Sequence, residues 1–131
     1  MLINSFIQVD TGVDFILTQV VFSADVFVKF LCNCRRVGIT VPIIPGLYIP
    51  HNFTELNRLM MITQIQMPAY YYEAFKSRRE NDEDFKTYSV IWMMALIKDI
   101  KQKSPEFIPG FHFFTMNNFD MIKRCLPLME L

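Results

Sequence analysis

The chain has 131 residues, 52% of them hydrophobic, which is enough for one modest domain with a core of its own. Thirteen Lys and Arg balance thirteen Asp and Glu, so the basic field that draws nucleic acid or anionic lipid is missing, and neither partner is expected. Thirteen Phe and nine Met suit faces buried against other elements better than a solvent-facing module.

In chain order, Asp14 to Thr18 is a short apolar run that predicts a strand. Ser23 then offers an N-cap for a helix from Ala24 to Val37, stopped by Gly38. Val41 to Ile44 repeats the strand pattern, and Pro45-Gly46 is expected to end it in a turn. Asn52, with Glu55 three residues on, opens the next helix in the manner of a capping box. Pro68 suits the first turn of an inserted helix that reaches the charged cluster Arg78, Arg79 and Glu80. Asn81 caps the best-signed helix, with Asp82, Glu83 and Asp84 at its positive end and Lys98, Lys101 and Lys103 at its negative end. Its expected length is about six turns. After Pro105 and Pro109-Gly110, Phe111 to Phe114 predicts a third strand, and Asn117 caps a last helix to about Pro127.

Strand-helix units in this order imply an α/β fold with parallel strands and right-handed crossovers. Each strand reads as apolar throughout, as strands covered on both faces do. The expected architecture is a partial (β/α)8 TIM barrel of about three consecutive βα units with extra helices. A closed barrel needs eight strands, so the remaining strands are expected outside this chain, which would then be a truncated, alternative or relic product. Asp10 and Asp14 interrupt the apolar run that a secretory leader needs, and prolines break the uncharged stretch from Val37 to Thr54. A cytoplasmic location follows, with Cys32, Cys34 and Cys125 as reduced thiols.

Ligands of parallel α/β folds gather at the carboxyl ends of the strands. The first strand ends in Thr18-Gln19, and an amide that donates and accepts side by side suits a heterocycle carrying adjacent N–H and C=O groups. A Gln that ties down a loop is the plainer reading of the same residue. At the second strand end, Pro45-Gly46 allows close backbone approach, and His51 and Asn52 follow; turn and cap roles account for them. The third strand carries His112 between aromatic residues, as a core histidine, then Thr115, Asn117 and Asn118, of which Thr115 and Asn118 could face a ligand. No glycine-rich phosphate loop, metal-ligand spacing or nucleophile with an evident base is found, so no metal is expected. The acidic run Glu80 to Asp84 reads as a solvated helix start.

The same three strand ends resemble the methylenetetrahydrofolate reductase family. VDTGVDFILTQVVFSAD is similar to its segment V-D-A-G-A-D-F-I-I-T-Q-x-F-F-x-x-D. GITVPIIPGLYIP resembles G-I-x-x-P-I-x-P-G-I-x-P, and IPGFHFFTMNN resembles V-P-G-x-H-F-Y-T-L-N-R. The resemblance covers nearly the whole chain and implies residues 1–131 as the C-terminal part of that family's barrel. It implies a flavoenzyme that passes hydride from NAD(P)H through FAD to 5,10-methylenetetrahydrofolate, giving the 5-methyl product of one-carbon and methionine metabolism. Gln19 matches the family glutamine that holds the pterin. Phe114 stands where the family has tyrosine, and Asn118 where it has an arginine implicated in folate binding. Glu55 falls near a further family ligand position.

Losing the phenol removes a hydrogen-bonding group, and losing the guanidinium removes a charge-assisted contact, so both departures weaken the site. The resemblance puts the acid-base residue and most FAD contacts on earlier strands, so no catalytic residue is assigned to this chain. On that reading the isolated chain does not turn over, and the missing barrel half or an intact subunit is its partner. The alternative is a catalytically inactive relic that acts as a binding or interaction module.

Overall fold

The computed structural model describes residues 15–115 and 119–129. Strand β1 (Ile16–Val20) leads to helix α1 (Ala24–Arg36), strand β2 (Ile43–Tyr48) and helices α2 (Phe53–Thr63), α3 (Ala69–Lys76) and α4 (Asp82–Lys103). Strand β3 (His112–Phe114), helix α5 (Asp120–Cys125) and a 3-10 turn (Leu126–Leu128) complete it. All three strands are parallel, in the order β1-β2-β3, in an open sheet. This is a partial TIM-barrel-like arrangement, as the alternation of elements predicts.

The helix starts are where their side chains put them. Ser23 Oγ accepts from the Val26 N–H at 3.5 Å, Asn52 Oδ1 from Glu55 at 2.8 Å, and Asn81 Oδ1 from Asp84 at 3.0 Å. Each satisfies one of the donors that a helix start leaves open. Gly38 follows α1 with φ +92°, a conformation that costs glycine nothing and a side chain much more. The cap predicted at Asn117 lies outside the described residues.

Two expectations about the strands are corrected. β1 runs two residues later than expected, so Gln19 lies within it, not after it. Pro45-Gly46 does not end β2; both residues sit buried in its middle, and the ladder continues to Tyr48. Gly46 directs both its N–H and its C=O at β1, so the adjacent Pro45 faces the β3 side, where the ladder begins only at Gly46 and no proline N–H is required. On β1, Leu17 aligns with Ile44 but Val20 with Gly46, so Thr18 and Gln19 together stand opposite Pro45 in a bulge.

β1 is also not buried throughout. Ile16, Thr18 and Val20 are buried, whereas Leu17 is half-buried and Gln19 exposed. The helices cover one face of β1, and the other stays open. On the covered side, Phe27, Leu31 and Cys34 of α1 pack with Ile16, Ile43 and Leu47 of the sheet and with Met93 and Ile100 of α4. Phe75 fastens α3 to α4: it is 0% exposed, with ring centroids 5.0 Å from Phe85, 4.9 Å from Tyr88 and 5.4 Å from Trp92. Burying such a ring is worth about 2–3 kcal/mol. Burial pushes the Cys34 thiol up and the Cys125 thiol to about 11, which keeps both protonated and unreactive.

At the amino-terminal end of the sheet, Arg35 joins three segments. Its Nε and Nη2 donate to the two Glu106 carboxylate oxygens at 2.9 and 2.8 Å. Its Nη1 donates to the carbonyls of Ile39 and Val41, both at 2.8 Å. The last turn of α1, the approach to β2 and the approach to β3 are thereby held together. Among the described residues, no helix is long and apolar enough to cross a membrane.

Candidate site at the carboxyl ends of the strands

The opposite end of the sheet brings two of the three expected site residues together. Gln19 is the exposed residue of β1, flanked by buried Thr18 and Val20. Phe114 ends β3 and pairs with Tyr48 in the ladder. Gly46 lies between them. A Cβ at this position would collide with the Phe114 ring and would sit 2.6 Å from the Thr18 carbonyl oxygen and 3.1 Å from that of Gln19. The Phe114 ring and the bulged backbone of β1 therefore meet over Gly46, in space that a side chain would otherwise take. Close approach, not a turn, is why a glycine is needed there. The third expected residue, Asn118, lies outside the described residues.

Thr18 organises this corner from beneath, at 5% exposure. Its hydroxyl accepts from the Gly46 N–H at 2.9 Å and donates to the Gln19 carbonyl at 2.7 Å. His112 sets its ring edge to face against Phe114, with centroids 4.7 Å apart, which holds the aromatic wall in one orientation. His112 is half-buried, in keeping with a packing role. Glu55 lends its backbone N–H to the α2 cap, and its carboxylate lies 3.9 Å from Arg58.

Two polar residues at this end escaped the reading of the sequence. Thr18 is one; its hydroxyl bonds follow from the register between β1 and β2, which no local pattern marks. Tyr48 is the other. It is 2% exposed, its hydroxyl is buried, and it finds no hydrogen-bond partner among the described residues. Burial, aided by the nearby Glu55 charge, raises its pKa well above the usual phenol range, so it stays neutral. A phenol at the end of an otherwise aliphatic strand was the only sign of it.

A separate cavity of about 420 Å³ opens beside β1, lined by Thr18, Gln19, Phe22, Phe30, Lys29 and Gln66 among others. Phe114 does not border it, so Gln19 stands at the junction of this cavity and the Gly46 corner. Among the described residues no group of three His, Cys, Asp or Glu could hold a metal ion.

The family model for methylenetetrahydrofolate reductase matches residues 2–129. The chain belongs to the methylenetetrahydrofolate reductase family. Methylenetetrahydrofolate reductase (NADH) 1 of Arabidopsis thaliana is 32% identical over 110 residues, which are 84% of this chain and 18% of the plant protein. The 5,10-methylenetetrahydrofolate reductase of Buchnera aphidicola subsp. Schizaphis graminum is 30% identical over 88% of this chain and 38% of its own length. That of Escherichia coli K12 is 29% identical over 92% of this chain and 40% of its own length. The chain thus spans well under half of these reductases. A solved structure of an uncharacterized protein from Clostridium thermocellum, which binds two copies of 5-methyl-5,6,7,8-tetrahydrofolic acid, has the same fold. Its TM-score is 0.50 at 17% identity, over 89% of this chain and 42% of that one.

Proposed function

We propose that this chain carries the folate-binding side of a methylenetetrahydrofolate reductase barrel, residues 1–131 being the C-terminal part of that domain. It serves the FAD-dependent, NAD(P)H-driven reduction of 5,10-methylenetetrahydrofolate to 5-methyltetrahydrofolate in the cytoplasm. The observation that carries this reading is the place of Gln19, an exposed residue near the carboxyl end of β1 whose backbone carbonyl borders the same Gly46 corner as the Phe114 ring. The Gln19 amide can match the adjacent N–H and C=O groups of a pterin edge while the ring supplies an apolar wall. Phe114 lacks a hydroxyl and Asn118 offers an amide in place of a guanidinium, so affinity is expected below that of the family's full site.

The described residues do not fit a flavin by themselves. The cavity beside β1 measures about 420 Å³, and among the described residues Lys29 is the only cation that lines it, a poor match for a dinucleotide with a pyrophosphate. As the family resemblance implies, we place most FAD contacts and the acid-base group on residues outside this chain, so that the isolated chain binds folate without turning it over. The missing barrel half, or an intact subunit, would supply them. A second reading, an inactive binding module, is favoured by Phe114, which lacks the hydroxyl of the family tyrosine.

Titration of the 131-residue chain with 5-methyltetrahydrofolate tests the first reading. Saturable binding that Gln19→Ala weakens about tenfold, near 1.4 kcal/mol, is expected. Absence of binding, or equal affinity in the variant, would overturn it. Reductase activity regained on adding the missing strands separates an active half from an inactive module.

A further inference from the structure

We infer that Thr18 is a positioning residue for Gln19, fixing the backbone from which the amide projects; this rests on the reading of Gln19 as the folate-holding group. Thr18 and Gln19 form a bulge by standing together opposite Pro45, so β1 carries one residue more than β2 here. The Gly46 N–H beside the bulge is directed at β1, is buried and needs an acceptor. The Thr18 hydroxyl accepts from it at 2.9 Å and donates its own hydrogen bond to the Gln19 carbonyl at 2.7 Å.

The ladder resumes at once, since the Val21 N–H donates to the Gly46 carbonyl at 2.8 Å. Gly46 completes the lock, because the carbonyl oxygens of Thr18 and Gln19 fill the space of a Cβ there. One hydroxyl and one glycine thus hold the peptide that carries Gln19. With Thr18 almost wholly buried, water is a weak competitor for either bond. A valine has the same shape and neither hydrogen bond, whereas a serine keeps both.

The test compares Thr18→Val, Thr18→Ser and wild type in the full 131-residue chain by amide hydrogen exchange and ¹⁵N NMR, with 5-methyltetrahydrofolate titrations alongside. Thr18→Val is expected to speed exchange of the Gly46 amide at least tenfold, to shift the Gln19 side-chain NH₂ signals, and to weaken folate binding as far as Gln19→Ala does. Thr18→Ser is expected to restore all three. Wild-type Gly46 exchange and Gln19 signals in Thr18→Val would overturn the proposal, as would failure of serine to rescue. If Thr18→Val does not fold, the wild-type chain still decides. Slow Gly46 exchange that Thr18→Ser preserves upholds the hydroxyl bond, and Gly46 exchange as fast as an unpaired amide overturns it. A wild-type chain that binds no folate would defeat the functional reading instead, while the Gly46 and Gln19 signals still report on Thr18.

Discussion

The two ends of the parallel sheet solve different problems with the same kinds of atoms. At the amino-terminal end, Arg35 spends four hydrogen bonds on Glu106, Ile39 and Val41, all within the protein. At the carboxyl end, the polar groups are arranged around a bulge, Gln19 is an exposed residue, and the Tyr48 hydroxyl has no partner among the described residues. One end is closed by its own side chains, and the other is held open. That is the division expected of a barrel, in which stability is built at the bottom face and binding at the top.

The largest break in this comparison should come from Gly46→Ala, since the added methyl would meet backbone carbonyl oxygen as well as the Phe114 ring, and backbone cannot swing aside. A loss of about 3 kcal/mol is expected in chemical unfolding; a loss below about 1 kcal/mol would show that the corner is looser than described. Arg35→Ala comes next, at about 1–2 kcal/mol, because the carboxylate end of the pair is partly exposed and screened while the two carbonyl bonds are more sheltered.

The same clamp predicts a pH dependence. Hydrogen bonding to Arg35 holds the Glu106 carboxyl below its ordinary value. Its contribution is therefore complete above the unfolded carboxyl value near 4.3 and is lost as pH falls through the lower folded value. Stability measured from pH 6 to pH 3 should fall less steeply in Glu106→Gln than in wild type. Smaller again is Tyr48→Phe, which removes a buried hydroxyl that has no partner among the described residues and should raise stability by about 1 kcal/mol. A decrease would mean that the hydroxyl has a partner in the folded protein.

These two ends also differ in how much of them could be read from the sequence. Helix starts at Ser23, Asn52 and Asn81 were legible because a cap acts within three residues of itself. The parallel alternation was legible for the same reason, as a local pattern repeated along the chain. The sequence reads Pro45-Gly46 as a turn, because only the register between strands shows that Gly46, not Pro45, addresses β1 and that the β3 ladder starts after the proline. The open face of β1 was also missed; an apolar run says that a strand can be buried, not which of its faces finds a cover. Gln19 is marked in the sequence by its family motif, and the structure places it as an exposed residue of β1. The bonds of the Thr18 hydroxyl were not legible, since the one it accepts from Gly46 depends on the register between two strands. The Arg35 clamp joins residues 71 apart, and nothing near Arg35 in the sequence points to Glu106.

The division between the two ends is tested most directly by measuring thermal unfolding and 5-methyltetrahydrofolate affinity together for Gln19→Ala and Arg35→Ala. Gln19→Ala should leave stability within about 0.5 kcal/mol, as an exposed site does, and weaken binding about tenfold. Arg35→Ala should lower the unfolding temperature by several degrees and leave the affinity of the folded protein unchanged. Gln19→Ala with undiminished affinity, or Arg35→Ala with affinity lost at a temperature where it is still folded, would contradict the account.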